Sequence, residues 1–173
     1  AFFIIGSNTT EQHPVFGTML RRAVRFRGTK LIVADPRRID MVDFATLHLR
    51  HRGGTDIALI NGLMHIILKK GWEDKAFIAE RTENFDEFYE TVMRYTPEKT
   101  AEITGVPQAQ LYEAAEIMGQ AKPMAVLWAM GITQHITGVH NVFSLANLQM
   151  LLGNMGVPGG GVNPLRGQNN VQG

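Results

Sequence analysis

Arg166 is the only formally charged residue between Pro123 and Gly173, a run otherwise without Asp, Glu or Lys. A solvated stretch of that length ordinarily carries several charges, so the run is expected to lie against protein or a large ligand. A lone guanidinium in such surroundings is costly without an anion beside it, and its planar fork matches a carboxylate or phosphate bidentately. Two readings follow from the residue alone. It pairs with a carboxylate elsewhere in a longer chain, or it grips an anionic ligand.

A second set of polar residues follows the apolar runs. Gly6-Ser7-Asn8-Thr9-Thr10, Ala34-Asp35-Pro36-Arg37-Arg38 and Gly131-Ile132-Thr133-Gln134 each come directly after a candidate strand. The carboxyl ends of strands in an open parallel sheet are where such sheets take ligands. Between Glu11 and Asp40 the only acid is Asp35, among six arginines and Lys30. An acid at the end of a second strand suits a ribose hydroxyl or a guanine edge, and Arg37 and Arg38 could meet phosphates or simply be solvated. The G-x-G-x-x-G fingerprint is missing, because Gly6 is followed by Ser-Asn-Thr-Thr-Glu, which argues against a standard NAD site. No metal ligands are assigned: His48 and His51, like His135 and His140, lack neighbouring carboxylates or thiols that would complete a set. With no cysteine, disulfides, thiolate metal sites, iron–sulfur ligation and a cysteine nucleophile are excluded within these residues.

The elements that must position these groups are α/β: a parallel sheet with flanking helices in Rossmann-like layers, plus a helical middle segment. Phe2 to Gly6, Lys30 to Asp35, Thr46 to Arg50 and Met124 to Ala129 read as strands. Val15, Met19, Ala23 and Phe26 recur at three- and four-residue spacing and predict a helix over 14–27. Ile57, Ile60, Leu63, Met64 and Ile67 do the same over 56–70, and further helices are expected over 74–81, 84–94, 108–120 and 139–152. Pro97 and Pro107 stand where helices should start, a place that suits a residue without an amide hydrogen. Residues 130–137 read as a turn. The last 21 residues hold 7 of the 18 glycines and read as a long loop without its own core. The parts are 1–53, a first α/β cofactor-binding part; 54–121, helical; and 122–173, which starts a second α/β layer and carries a substrate and cofactor loop.

The 173 residues are 45% hydrophobic and 19% charged, with a net charge of +1. No apolar run approaches the roughly 20 residues of a membrane span, and near-neutrality argues against a nucleic-acid partner. Acids between Glu73 and Glu90 read as a solvated surface. Both ends read as cuts through a longer polypeptide, with the cytoplasm as the expected compartment and the periplasm as the alternative.

Three motifs carry a resemblance. Ala34-Asp35-Pro36-Arg37, Met130-Gly131-Ile132-Thr133-Gln134-His135 and above all Gly161-Val162-Asn163-Pro164-Leu165-Arg166-Gly167-Gln168-Asn169-Asn170-Val171-Gln172-Gly173 resemble the catalytic subunit of molybdenum- or tungsten-dependent formate dehydrogenases. These belong to the dimethyl-sulfoxide-reductase group of molybdopterin oxidoreductases. The likeness runs along the whole chain. Ala-Asp-Pro-Arg alone marks the wider group, whereas the closing run is specific to formate dehydrogenases.

The resemblance implies oxidation of formate to CO2, or the reverse, at a molybdenum or tungsten centre held by two molybdopterin guanine dinucleotides. It implies Asn8, Asp35, Arg37, Gly54 and Asp56 near guanosine and phosphates, and Met130 and Gln134 near the pterin portions. Arg166 would orient formate, with Gln168 close by. A four-cysteine 4Fe-4S motif and the cysteine or selenocysteine on the metal would lie upstream, outside these residues, so the piece by itself would be inactive. The implied partners are formate and CO2, the rest of the catalytic subunit and electron-transfer subunits. A non-redox nucleotide-binding module is the alternative, as is a relative such as a nitrate reductase or formylmethanofuran dehydrogenase.

Overall fold

The computed structural model describes residues 1–167. Five short strands form one parallel sheet: β1 (Phe2–Ile5), β2 (Leu31–Ala34), β3 (Leu47–Leu49), β4 (Ala125–Trp128) and β5 (Val162–Pro164), in the order β3-β2-β1-β4-β5. The apolar runs are short and unbroken because both faces of the sheet are covered, as parallel sheets require. Alternation along each strand assigns the faces. Phe3, Ile5, Ile32 and Ala34 enter the larger core, whereas Ile4, Leu31, Val33 and Leu127 enter a smaller one on the other side.

The smaller core is closed by α2 (Pro14–Arg27), through Leu20 with Phe16 and Val24, and by Ile39 and Met41 in and beside a short 3-10 helix, Asp40–Phe44. The helix over 14–27 therefore forms where its spacing predicts, but Val15, Met19 and Phe26 point outward at 76%, 62% and 73% exposure. Two apolar stripes run along this helix, and the sheet takes the one carrying Leu20.

The larger core is built on α3 (Asp56–Lys70), with α5 (Phe85–Met93), α6 (Pro97–Thr104), α7 (Gln108–Gln120) and α9 (Gly138–Leu151) around it. The spacing along α3 predicts one buried face, yet nearly every residue from Asp56 to Ile67 is buried, because helices and sheet surround it. Gly62 allows the closest approach: a Cβ there would meet the Thr100 side chain. Chain signals set the helix starts. Asp74 accepts from the Phe77 amide at 3.0 Å to begin α4 (Lys75–Arg81), and Thr96 accepts from Lys99 ahead of Pro97.

The last third differs from its sequence reading in three ways. Residues 130–137 are not all turn, because α8 (Met130–Thr133) forms a single helical turn after β4. The glycine-rich loop contains β5, an edge strand paired with β4 from Val126↔Val162 to Trp128↔Pro164. And the strands of 122–167 begin no second layer; β4 pairs with β1 and extends the first sheet.

The charge-free run also divides in two. One part is a buried network of neutral amides. Gln149, fully buried, donates to the Met124 and Gly161 carbonyls at 2.8 and 2.7 Å, and Asn154 donates to Gln149 Oε1 and accepts from the Met124 amide. The other part, with Met130, Ile136, Val139 and Phe143, faces outward.

Candidate functional site

The order β3-β2-β1-β4-β5 reverses direction at β1, so the loops leaving β1 and β4 diverge and open a crevice at their carboxyl ends. The loops touch at its base. The Gly131 amide donates to the Gly6 carbonyl at 3.0 Å, and a Cβ on Gly131 would stand 2.6 Å from that oxygen. Gly6 itself has φ +59°, a left-handed backbone that glycine adopts without strain. Above this crossing lies a cavity of about 300 Å³ lined by Gly6, Asn8, Gln12, Asp35, Pro36, Arg37, Met130 and Gly131.

Four of the residues read from the sequence thus come together from three separate stretches: Asn8, Asp35, Arg37 and Met130. Asp35 is buried, and its Oδ1 accepts the Arg37 amide at 2.8 Å, a tight turn that presents the carboxylate at the end of β2. The Arg37 guanidinium stands 3.7 Å from the same oxygen and is 71% exposed, free to swing to a phosphate. His48 Nε2 holds the Asp35 carbonyl at 3.0 Å from the neighbouring strand and so fixes the turn from behind. Asn8 Oδ1 is buried without a hydrogen-bond partner. An orphaned acceptor facing a polar cavity is short of a donor, and a ligand N–H or O–H would supply it.

The other predicted residues are placed differently. Gly54 and Asp56 sit one strand further out on the same rim, after β3, and do not line the cavity. The Asp56 carboxylate is buried against His51, with Oδ1 3.0 Å from Nε2. His51 therefore does have a carboxylate neighbour, five residues on, brought round by the Gly53-Gly54 turn. The two form a pair, and among the described residues no third metal-ligating group joins them. Gln134 is exposed at the end of α8 and also stays outside the cavity. Arg166 is exposed in the loop after β5; its carbonyl lies 3.0 Å from His13 Nε2, which ties that loop beside Gln12 and hence to the rim of the cavity. Among the described residues no carboxylate pairs with its side chain. Gln168 lies outside the described residues.

Gln12 and the Gly6–Gly131 contact were not singled out from sequence. Gln12 lies one helical turn from Asn8, across the four-residue helix α1 (Thr9–Gln12), and that spacing was the available signal. Nothing in the sequence signals a contact between two glycines 125 positions apart. A larger cavity, of about 380 Å³, lies between the α4–α5 corner and α9, far along the chain from these groups and lined by residues such as Glu83, Phe85, Phe88 and Met150.

Comparison with known proteins decides the family. The model of the molybdopterin oxidoreductases matches residues 1–173. The chain belongs to the molybdopterin oxidoreductase family. Among its molybdopterin relatives, formate dehydrogenase H of Escherichia coli (strain K12) is 46% identical over 99% of this chain and 24% of that protein. The F420-dependent formate dehydrogenase 1 subunit alpha of Methanococcus maripaludis is 48% identical over 99% of the chain and 25% of its own length. The chain thus spans about a quarter of the curated relatives it matches. A solved molybdopterin relative, acetylene hydratase from Pelobacter acetylenicus, superposes with a TM-score of 0.82 at 30% identity, over 88% of this chain and 21% of that one. Membership in the molybdopterin oxidoreductases implies a molybdopterin cofactor. The residues at the crevice fit one: a buried orphan acceptor, a carboxylate held in a turn, a mobile cation and a glycine crossing without room for a side chain. Among the described residues, no helix is long and apolar enough to cross a membrane.

Proposed function

We propose that this chain is the part of a formate dehydrogenase that cradles one guanine dinucleotide end of the cofactor and presents the arginine that orients formate. The observation that carries the reading is the convergence of Asn8, Asp35, Arg37 and Met130 on one cavity at the strand reversal, in a chain 46–48% identical to formate dehydrogenases.

Asp35 accepts from the guanosine through the oxygen its turn leaves open, and Asn8 Oδ1 accepts a further donor. Arg37 neutralises phosphate charge, and Met130 covers the pterin side with an apolar surface. Gly54 and Asp56 act from the adjacent rim through backbone amides at the start of α3, since the Asp56 carboxylate is held by His51. Gln134 contacts the cofactor from the end of α8. When bound, the molybdenum or tungsten centre carried by the two dinucleotides accepts the two electrons of formate. Arg166 holds the formate carboxylate with two parallel hydrogen bonds and fixes its orientation, with Gln168 beside it. The 4Fe-4S cluster and electron-transfer subunits belong to the remainder of the enzyme.

The test is Arg166→Ala in the full-length enzyme. Formate oxidation should fall at least about 100-fold, the scale for removing one preorganised electrostatic contact, while cofactor content stays unchanged. Near-normal turnover overturns the role of Arg166. Arg166→Lys keeps the charge without the fork and should recover only part of the loss.

A further inference from the structure

The outer face of α2 has no partner among the described residues. Val15, Met19 and Phe26, with Arg22 between them, fall at helical spacing along one stripe roughly 16 Å long. All four are exposed, and the three apolar side chains are 76%, 62% and 73% accessible. The opposite stripe, through Leu20, is the one the sheet uses. A helix that is apolar on two opposite sides, and already satisfied on one, is built to be covered on the other.

The charge on α2 indicates what covers it. The helix carries Arg21, Arg22, Arg25 and Arg27 and no acid, and among the described residues none of the four pairs with a carboxylate. Arg25 instead lies over the Phe26 ring at 5.7 Å, and Arg21 over Phe44 at 5.3 Å with its Nε buried and without an acceptor. The complementary surface is apolar with carboxylates at its margin. The relatives are about four times as long as this chain, so most of their polypeptide lies outside it.

We infer that α2 is an internal docking helix: in the full-length subunit an acidic segment of the same polypeptide packs on Val15, Met19 and Phe26 and pairs with Arg22 and Arg25. This rests on the reading of the chain as one part of a longer oxidoreductase subunit, but not on formate as its substrate. The experiment uses the full-length subunit with its cofactor. Met19 is replaced by the photocrosslinker p-benzoylphenylalanine, and the crosslinked peptides are mapped after irradiation; in the wild-type subunit, oxidation of Met19 by peroxide is timed in the native and the denatured protein.

The inference requires crosslinks within one polypeptide, to residues outside this segment and near carboxylates, at yields independent of concentration. It also requires native Met19 to oxidise at least about tenfold more slowly than denatured Met19, as burial of its sulfur demands. Crosslinks to another subunit or a second copy overturn it. So does a Met19 oxidised at the denatured rate, or a protected Met19 that yields no crosslink within the polypeptide. Neither readout uses formate turnover, so failure here and failure of the formate reading are distinguishable.

Discussion

The two flanks of β1 solve the same problem with different chemistry. Toward β2 and β3 the polar groups are charged: Asp35 beside Arg37, Arg38 with Asp43, and His51 buried against Asp56. Toward β4 and β5 they are neutral amides: Gln149, Asn154 and Asn163 bind carbonyls and one another. The charged flank meets solvent along most of its rim, where ion pairs cost little and contribute little. The amide flank holds an edge strand of only three residues, and its ties run through groups shielded from water. A charge there would cost several kcal/mol to bury, whereas an amide satisfies two carbonyls without that penalty. The lesson is that absence of charge in a sequence marks burial of polar groups as readily as it marks a ligand-facing surface.

Substitutions can break or sharpen this contrast, read in the full-length subunit by hydrogen exchange of nearby amides. The largest effect is expected from Gln149→Leu. It strips partners from the Met124 and Gly161 carbonyls and from the Asn154 amide, at about 4 kcal/mol on the scale of buried unsatisfied groups. Exchange of the Val126 amide, which donates to the Gly161 carbonyl, should accelerate accordingly. A smaller loss there than at Asp56 would reverse the comparison.

Asp56→Ala leaves buried His51 without its partner and should cost about 2–3 kcal/mol, read at the first amides of α3. Asp74→Ala removes the cap of α4 and should cost about 1 kcal/mol. The Asp74 carboxyl is held below its ordinary value, first by the Phe77 amide and then by Lys122, against the opposing effect of burial. Its folded-state value is thus below the unfolded one. The stabilisation is present above about pH 4 and disappears as pH falls through the folded value, so the variant should flatten the acid side of the stability profile. Asp43→Ala breaks the exposed pair with Arg38 and should change stability by less than about 0.5 kcal/mol. A loss above about 1 kcal/mol would mean the charged flank is not solvated as its exposure indicates.

Much of the scaffold was legible along the chain. The four main strands are apolar runs between turn residues, and the helices over 56–70, 108–120 and 139–152 carry periods long enough to be unambiguous. β5 was not legible, because three residues, Val162 to Pro164, form a strand only by pairing with β4. The outward face of α2 was not legible either, since two apolar stripes share the helix and spacing cannot say which one the sheet will take. At the site, Asp35 and Arg37 could be read because they follow a strand directly. The His51–Asp56 pair was hidden by treating histidines as ligands for metals rather than for a neighbouring acid.

The residues by themselves determined the α/β class, the placement of polar groups at strand ends and the family, because these depend on local pattern and on motifs contiguous in the chain. Only the tertiary structure decided which of those groups share a cavity. Asn8, Asp35 and Met130 meet because β1 pairs with both β2 and β4, and Arg166 reaches the same rim because β5 adds to β4 and its loop is held by His13. Sheet order is set by long-range pairing and burial of both faces, a free-energy balance over the whole domain that no short window of sequence contains.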